Sequence, residues 1–171
     1  PFGNSTIIET VVDNLLASKL NEVIVVIGHE AEKIRAHIER KPVKIVCNPD
    51  YRSGMLTSAQ CGLRAISESA DFALALVDEP FVTSDLIDLV INAYTQTKRG
   101  IALPSYNYRR GHPVIFNRRY AVDILALSEK SGGVKSLFGR YADDIHYVIV
   151  GTDRVLRDID EREDYERALG E

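Results

Sequence analysis

The chain has 171 residues, 45% of them hydrophobic and 27% charged, with a formal net charge of −4. That length suits one domain with a sizeable core, and the mild acidity argues against a nucleic-acid or membrane surface, which favours a basic face. No apolar run approaches membrane-spanning length and no signal-peptide pattern appears, so Cys47 and Cys61 read as buried or half-buried free thiols of a reducing cytoplasm.

The chain opens on Pro1-Phe2-Gly3 and turns almost at once into a helix. Thr6 and Glu9 stand at capping-box spacing, and Ile7, Ile8, Val11, Val12, Leu15 and Leu16 recur on one helical face until about Leu20. Residues 22–28 are β-branched and continuously apolar, a buried strand. A helix follows over 29–40, then a strand over 43–47 that Asn48-Pro49-Asp50 ends. A loop through Gly54 leads to a helix over about 58–67. Phe72-Ala73-Leu74-Ala75-Leu76-Val77 then runs straight into Asp78-Glu79-Pro80, which predicts a strand buried on both faces, as in a parallel sheet, with Asp78 near its carboxyl end. Thr83 or Ser84 caps a long helix carrying Leu86, Ile87, Val90, Ile91 and Tyr94. Short strands at 101–104 and 114–116 flank a polar, tyrosine-rich turn. Helices over 119–128 and 134–141, a strand over 146–150 and a charged tail helix over 161–169 complete the chain.

Strand alternating with helix predicts an α/β fold with right-handed βαβ units and helices on both faces of the sheet. The short strands of the second half are expected to add an edge or a mixed extension. In a parallel sheet the strand ends converge, so Gly28-His29, Asn48-Pro49-Asp50 and Asp78-Glu79-Pro80 would line one cleft. The bland alternative is that Asn, Asp, Gly and Pro merely terminate strands. Two consecutive acids after so apolar a strand exceed what a turn requires, and Asp78 becomes the candidate metal ligand.

Two further groupings carry possible chemistry. Arg109-Arg110-Gly111-His112-Pro113 could clamp a phosphate with its guanidiniums, or form a solvated hairpin rim. Asp158-Ile159-Asp160 puts two acids on one face of an extended segment, as metal ligands or as a helix entrance with Asp160 as N-cap. No Ser-His-Asp order, HExxH, Walker lysine or GxGxxG motif appears.

Taken in order, these segments resemble the MobA-like nucleotidyltransferases of molybdenum-cofactor maturation, in particular the molybdenum cofactor cytidylyltransferase group. Pro1-Phe2-Gly3-Asn4 is similar to the family's LPFG segment, and Val25-Val26-Ile27-Gly28-His29-Glu30 to its second strand and turn. Asn48-Pro49-Asp50-Tyr51, Gly54-Met55-Leu56-Thr57-Ser58 and Gly62-Leu63 resemble its NPxY…GMxxS…GL stretch. Asp78 and Pro80 match GDxP. Arg110-Gly111-His112-Pro113-Val114 matches RGHPV, and Asp158-Ile159-Asp160 with Glu163-Asp164 resembles DIDTPED.

The resemblance implies a Rossmann-like three-layer nucleotidyltransferase fold with a mostly parallel sheet. It implies transfer of a nucleoside monophosphate from CTP or GTP to a molybdopterin-type acceptor, with Mg²⁺ and release of pyrophosphate. Asp78 would be the catalytic Mg²⁺ ligand and Asp160 its second carboxylate. Gly28, Asn48, Gly54 and Ser58 would bind the nucleotide, and Arg110, Gly111, His112 and Pro113 the acceptor. Residues 54–58 lack the Pro-Leu-Ala-Gly character of the guanylyl branch, which favours CMP over GMP. A recipient molybdoenzyme would be the partner.

This chain also departs from the pattern. Val77 replaces the usual glycine before the aspartate, Glu161-Arg162 replaces Thr-Pro, and residues 131–135 match the family's GDxGAR turn only loosely. The first strand and the LAAGxSxRMGxxK loop that grips the triphosphate are expected immediately before Pro1, so residues 1–171 read as one N-terminally incomplete domain. The competing functions are a sugar- or polyol-phosphate nucleotidyltransferase, against which RGHPV tells, and a non-catalytic partner that binds or matures the molybdenum cofactor.

Overall fold

Thr6 starts the first helix by the expected capping box. Its Oγ1 accepts from the Glu9 N–H at 3.3 Å, and Glu9 Oε2 accepts from the Thr6 N–H at 3.0 Å. In a computed structural model that describes residues 1–169, α1 (Ile7–Leu16) is followed by β1 (Ile24–Ile27), α2 (Ala31–Ile38) and β2 (Lys44–Cys47). Next come α3 (Met55–Ala65), β3 (Phe72–Leu74), α4 (Ser84–Gln96), β4 (Ile101–Tyr106) and β5 (Arg109–Arg110). The chain then forms β6 (Val114–Phe116), α5 (Ala121–Ala126), α6 (Ser136–Arg140), β7 (Ile145–Ile149) and α7 (Arg162–Leu169). Thr83 occupies the N-cap position of α4 without a side-chain capping bond. Helix α3 begins three residues earlier than the sequence predicts, because the chain turns at Gly54 with φ 113°.

The expectation of a mostly parallel sheet is corrected. β1 and β2 pair in parallel as a two-stranded sheet, and β7 pairs in parallel with β4, but β3–β6, β4–β6 and β4–β5 are all antiparallel. The cause is connection length. Residues 107–113 are too few for a crossover helix, so β6 must run back against β4. The β4–β5 hairpin turns at Asn107 and Tyr108, both at positive φ (47° and 64°), as in a type I′ turn. Nor does β6 lie at an edge: it sits between β3 and β4 in the order β3-β6-β4-β5.

The long apolar run is corrected with it. β3 stops at Leu74, because its partner β6 offers only three residues, Phe72↔Phe116 to Leu74↔Val114. Ala75 and Val77 beyond it are exposed. Asp78 therefore belongs to a turn, four residues past the last strand residue.

Alternation along β4 and β6 divides the core. Ile101, Leu103, Val114 and Phe116 face α3, α5 and α6, and Ala102 and Ile115 face Val90 of α4. Helices thus cover both faces of the larger sheet. A third cluster joins Val12 of α1, Ile27 of β1 and Ile38 of α2, and α1 also packs on α4, bridging the two sheets. β1 bonds only to β2, and β3 only to β6, so each presents one unbonded edge among the described residues. No helix among those residues is long and apolar enough to cross a membrane.

Phe116 is fully buried, stacked on Phe72 at 5.4 Å and on Phe138 at 6.3 Å between centroids. Phe116→Ala is expected to cost about 3–5 kcal/mol in urea denaturation, the range for emptying an aromatic core site.

Candidate active site

The turn after β3 is held from several sides. The Asp78 carbonyl accepts from the Ile159 N–H at 2.8 Å, and the Pro80 carbonyl from Asn14 Nδ2 at 3.4 Å. The Phe81 ring meets Phe2 edge-on at 5.9 Å, and the Arg157 guanidinium lies 3.9 Å above its centre. These contacts lay residues 157–160 along the turn and bring the charges of Asp158 and Asp160 to bear on Asp78. Oxygen Oδ1 of Asp78 is buried without a hydrogen-bond partner. Burial pushes the Asp78 carboxyl above its usual range, and the Asp160 and Asp158 charges push the same way.

Glu79 lies deeper in the protein than Asp78. It is 7% exposed, its Oε1 lies 2.9 Å from His112 Nδ1, and its Oε2 has no partner. Burial raises its carboxyl too, with His112 opposing and Asp78 and Asp158 adding to the rise.

Residues 110–113 therefore take different positions. His112 faces Glu79. Gly111 is required by a close approach, since a Cβ there would fall 2.1 Å from the Val155 carbonyl oxygen. Its N–H donates to the Pro104 carbonyl at 2.9 Å, and the His112 N–H donates to Val155 at 3.3 Å. Pro113 follows a cis peptide bond and closes the turn into β6. Arg110 lies on aromatic surface, donating to the Tyr147 hydroxyl at 2.9 Å with its guanidinium over Phe138 and Tyr147. An Arg109–Arg110 clamp on one phosphate is not preformed.

A second cluster gathers where β1 and β2 end and α3 begins. Gly28 packs beneath Tyr51, where a Cβ would meet Tyr51 Cβ at 2.4 Å. Asn48 is buried, and its Nδ2 donates to Thr57 Oγ1 and Ser58 Oγ at 3.0 Å each, while its Oδ1 accepts from the Asp50 N–H. Gly54, with φ 113°, directs the chain into α3. The structure thus brings Gly28, Asn48, Gly54 and Ser58 together, and separately Asp78, Glu79, His112 and the 158–160 segment.

The cysteines need one correction. Both are free, but Cys47 is exposed, because it ends β2 at the surface, where Arg35 Nη2 reaches its sulfur at 3.2 Å. Cys61 is half-buried and its thiol donates to the Cys47 carbonyl at 3.6 Å.

Sequence reasoning missed the Glu79–His112 contact and the bond from Ile159 to Asp78. The only signals were the doubled acid and a histidine 33 positions later, and no helical or strand period connects them. Among the described residues, no group of three or more His, Cys, Asp or Glu side chains is assembled to hold a metal ion unaided.

The family model described as "MobA-like NTP transferase domain" matches residues 1–145. The chain is 27% identical over 124 residues to the nicotine blue oxidoreductase of Paenarthrobacter nicotinovorans, covering 68% of this chain and 60% of that protein. It is 24% identical over 166 residues to the molybdenum cofactor cytidylyltransferase of Escherichia coli, covering 96% of this chain and 82% of that one. Its fold matches a manganese complex of Rv0371c from Mycobacterium tuberculosis with a TM-score of 0.83 at 23% identity, over 99% of this chain and 89% of that one.

The raised carboxyls at Asp78 and Glu79 have a defined consequence for stability. Folding raises both above their unfolded values, so their contribution is fully present below about pH 4 and is lost as pH rises through the elevated folded values. Asp78→Asn removes one charge penalty. Its melting temperature, measured without metal, is expected to exceed wild type at pH 7 and to converge with it at pH 3.5.

Proposed function

The chain belongs to the MobA-like NTP transferase family, and on that premise we propose that it moves CMP, in preference to GMP, from an NTP to a phosphorylated molybdopterin-type acceptor. One observation carries this reading: the partnerless buried oxygen of Asp78, on a turn against which Asp158 and Asp160 are laid. Carboxylates gathered at this cost fit a divalent cation, whose charge would remove their mutual repulsion. Mg²⁺ commonly takes one or two carboxylates and fills its shell with water and phosphate oxygens, so two protein ligands, Asp78 and Asp160, are sufficient. A manganese complex of a structural neighbour supports the same reading.

In the transfer, an oxygen of the acceptor's phosphate forms a bond to the α-phosphorus of the NTP. The bond from that phosphorus to the bridging oxygen breaks, and its electron pair leaves with pyrophosphate. Bound Mg²⁺ would neutralise charge building on the phosphate oxygens. The chain's own work is to position the reactants. Asn48 and Ser58, already bonded to one another, offer a preformed polar wall to the nucleoside, while Gly28 makes room for Tyr51 and Gly54 turns the chain into α3. The turn at residues 110–113 shapes the acceptor side.

The cytidylyltransferase relative, aligned along 96% of this chain, supports the choice of CTP and of a molybdopterin acceptor. The relative named as an oxidoreductase keeps a rival in view, a chain of this family that does not transfer nucleotide.

Pyrophosphate release by the full-length protein, given Mg²⁺, molybdopterin and either CTP or GTP, separates the two. Turnover is expected with CTP above GTP. Asp78→Asn and Asp160→Asn are each expected to lower kcat about 100-fold or more, the scale of a lost metal contribution, while circular dichroism shows an intact fold. Wild-type rates from Asp78→Asn would sink the metal assignment, and no pyrophosphate from any NTP would favour the rival.

A further inference from the structure

Glu79 and His112 come from segments 33 residues apart and meet above a small, largely apolar cavity lined by Val11, Leu15, Leu76, Val82 and Ile87. A carboxylate is an expensive occupant for such a place. A leucine would fill the space at lower cost, yet the chain keeps an acid with one oxygen partnerless and the other on a histidine. The histidine's backbone is already fixed: Gly111 donates to Pro104, His112 donates to Val155, and Pro113 follows it. The freedom left to His112 is rotation of its ring. Its side chain remains 30% exposed, so the ring spans the boundary between the buried acid and solvent.

We propose that Glu79 is a positioning residue for the acceptor: by accepting from His112 Nδ1–H it locks the imidazolium ring so that Nε2–H donates to the acceptor's phosphate. A carboxylate on Nδ1 fixes the ring's orientation and supports the imidazolium form, as in hydrolase triads. The two adjacent acids thereby divide their work, Asp78 serving the metal and nucleotide and Glu79 the second substrate. This rests on the nucleotidyltransferase reading of the Asp78 site.

The test uses the full-length enzyme with Glu79→Gln, which keeps an accepting oxygen, and Glu79→Leu, which fills the cavity without one. For Glu79→Leu the expected result is a melting temperature at or above wild type, as when buried ionic groups give way to apolar ones. Its KM for molybdopterin should rise about tenfold or more while KM for CTP stays within about twofold, the pattern of lost acceptor binding. Glu79→Gln should restore the acceptor KM to within about threefold of wild type. His112→Asn should reproduce the acceptor-selective loss, and adding Glu79→Gln to it should cost nothing further, which keeps the question decidable if the leucine variant does not fold.

An unchanged acceptor KM in Glu79→Leu, equal losses for both substrates, or no rescue by glutamine would each overturn the proposal. Molybdopterin binding is also read by fluorescence without nucleotide. Failure of wild type to transfer nucleotide would then count against that reading alone, and the acceptor Kd of the variants would decide the role of Glu79. Absence of acceptor binding by wild type overturns it.

Discussion

Two adjacent carboxylates drawn out of water set the terms for the rest of this site. Asp78 and Glu79 sit on one turn, and each keeps a buried oxygen with no hydrogen-bond partner. An isolated buried carboxylate costs several kcal/mol, so the turn persists only because its backbone is tied down elsewhere. The Ile159 N–H on the Asp78 carbonyl, Asn14 on the Pro80 carbonyl, and Phe81 between Phe2 and Arg157 supply those ties. None of them satisfies the carboxylate oxygens themselves. Neighbouring acidic charge adds to the cost of keeping Asp78 ionised.

The antiparallel insertion of β6 decides which residues meet at that turn. Pairing in register with β3, from Phe72↔Phe116 to Leu74↔Val114, it starts where β3 ends. The residues just before β6, Gly111 to Pro113, therefore arrive beside the residues just after β3. That geometry places His112 on Glu79. The same register limits β3 to three residues and leaves 75–77 without strand partners, so the long apolar run does not become a long strand.

The junction of β2 and α3 is built on the opposite principle. Asn48 has its amide nitrogen and its oxygen engaged, by Thr57, Ser58 and Asp50, so the junction of β2 and α3 is polar but satisfied. Rigid, preformed polar walls suit recognition of a nucleoside, whereas the strained carboxylates suit a charged centre that must compensate them. Gly28 and Gly111 serve the same physical end in the two clusters. Each lets one segment approach another more closely than a Cβ allows, against Tyr51 and against the Val155 carbonyl.

Much of this was legible in the chain, because local patterns carry local structure. The capping box at Thr6 and Glu9, the periodicity of most helices and most of the apolar strands follow from neighbouring residues alone. Motif order was sufficient to identify the family resemblance, since it does not depend on which strands pair. Strand direction and partner were not legible. They depend on how a seven-residue connection between β4 and β6 closes in space, and on competition among short strands that all read alike. The contact between Glu79 and His112, the bond from Ile159 to Asp78, and the turn of Arg110 onto Phe138 and Tyr147 likewise join residues far apart in sequence. The chain by itself determined which chemical groups are present and which elements carry them. Only tertiary packing decided which of the two acids stays half-buried and which is shut in with a histidine, because burial and partnership belong to the assembled sheet.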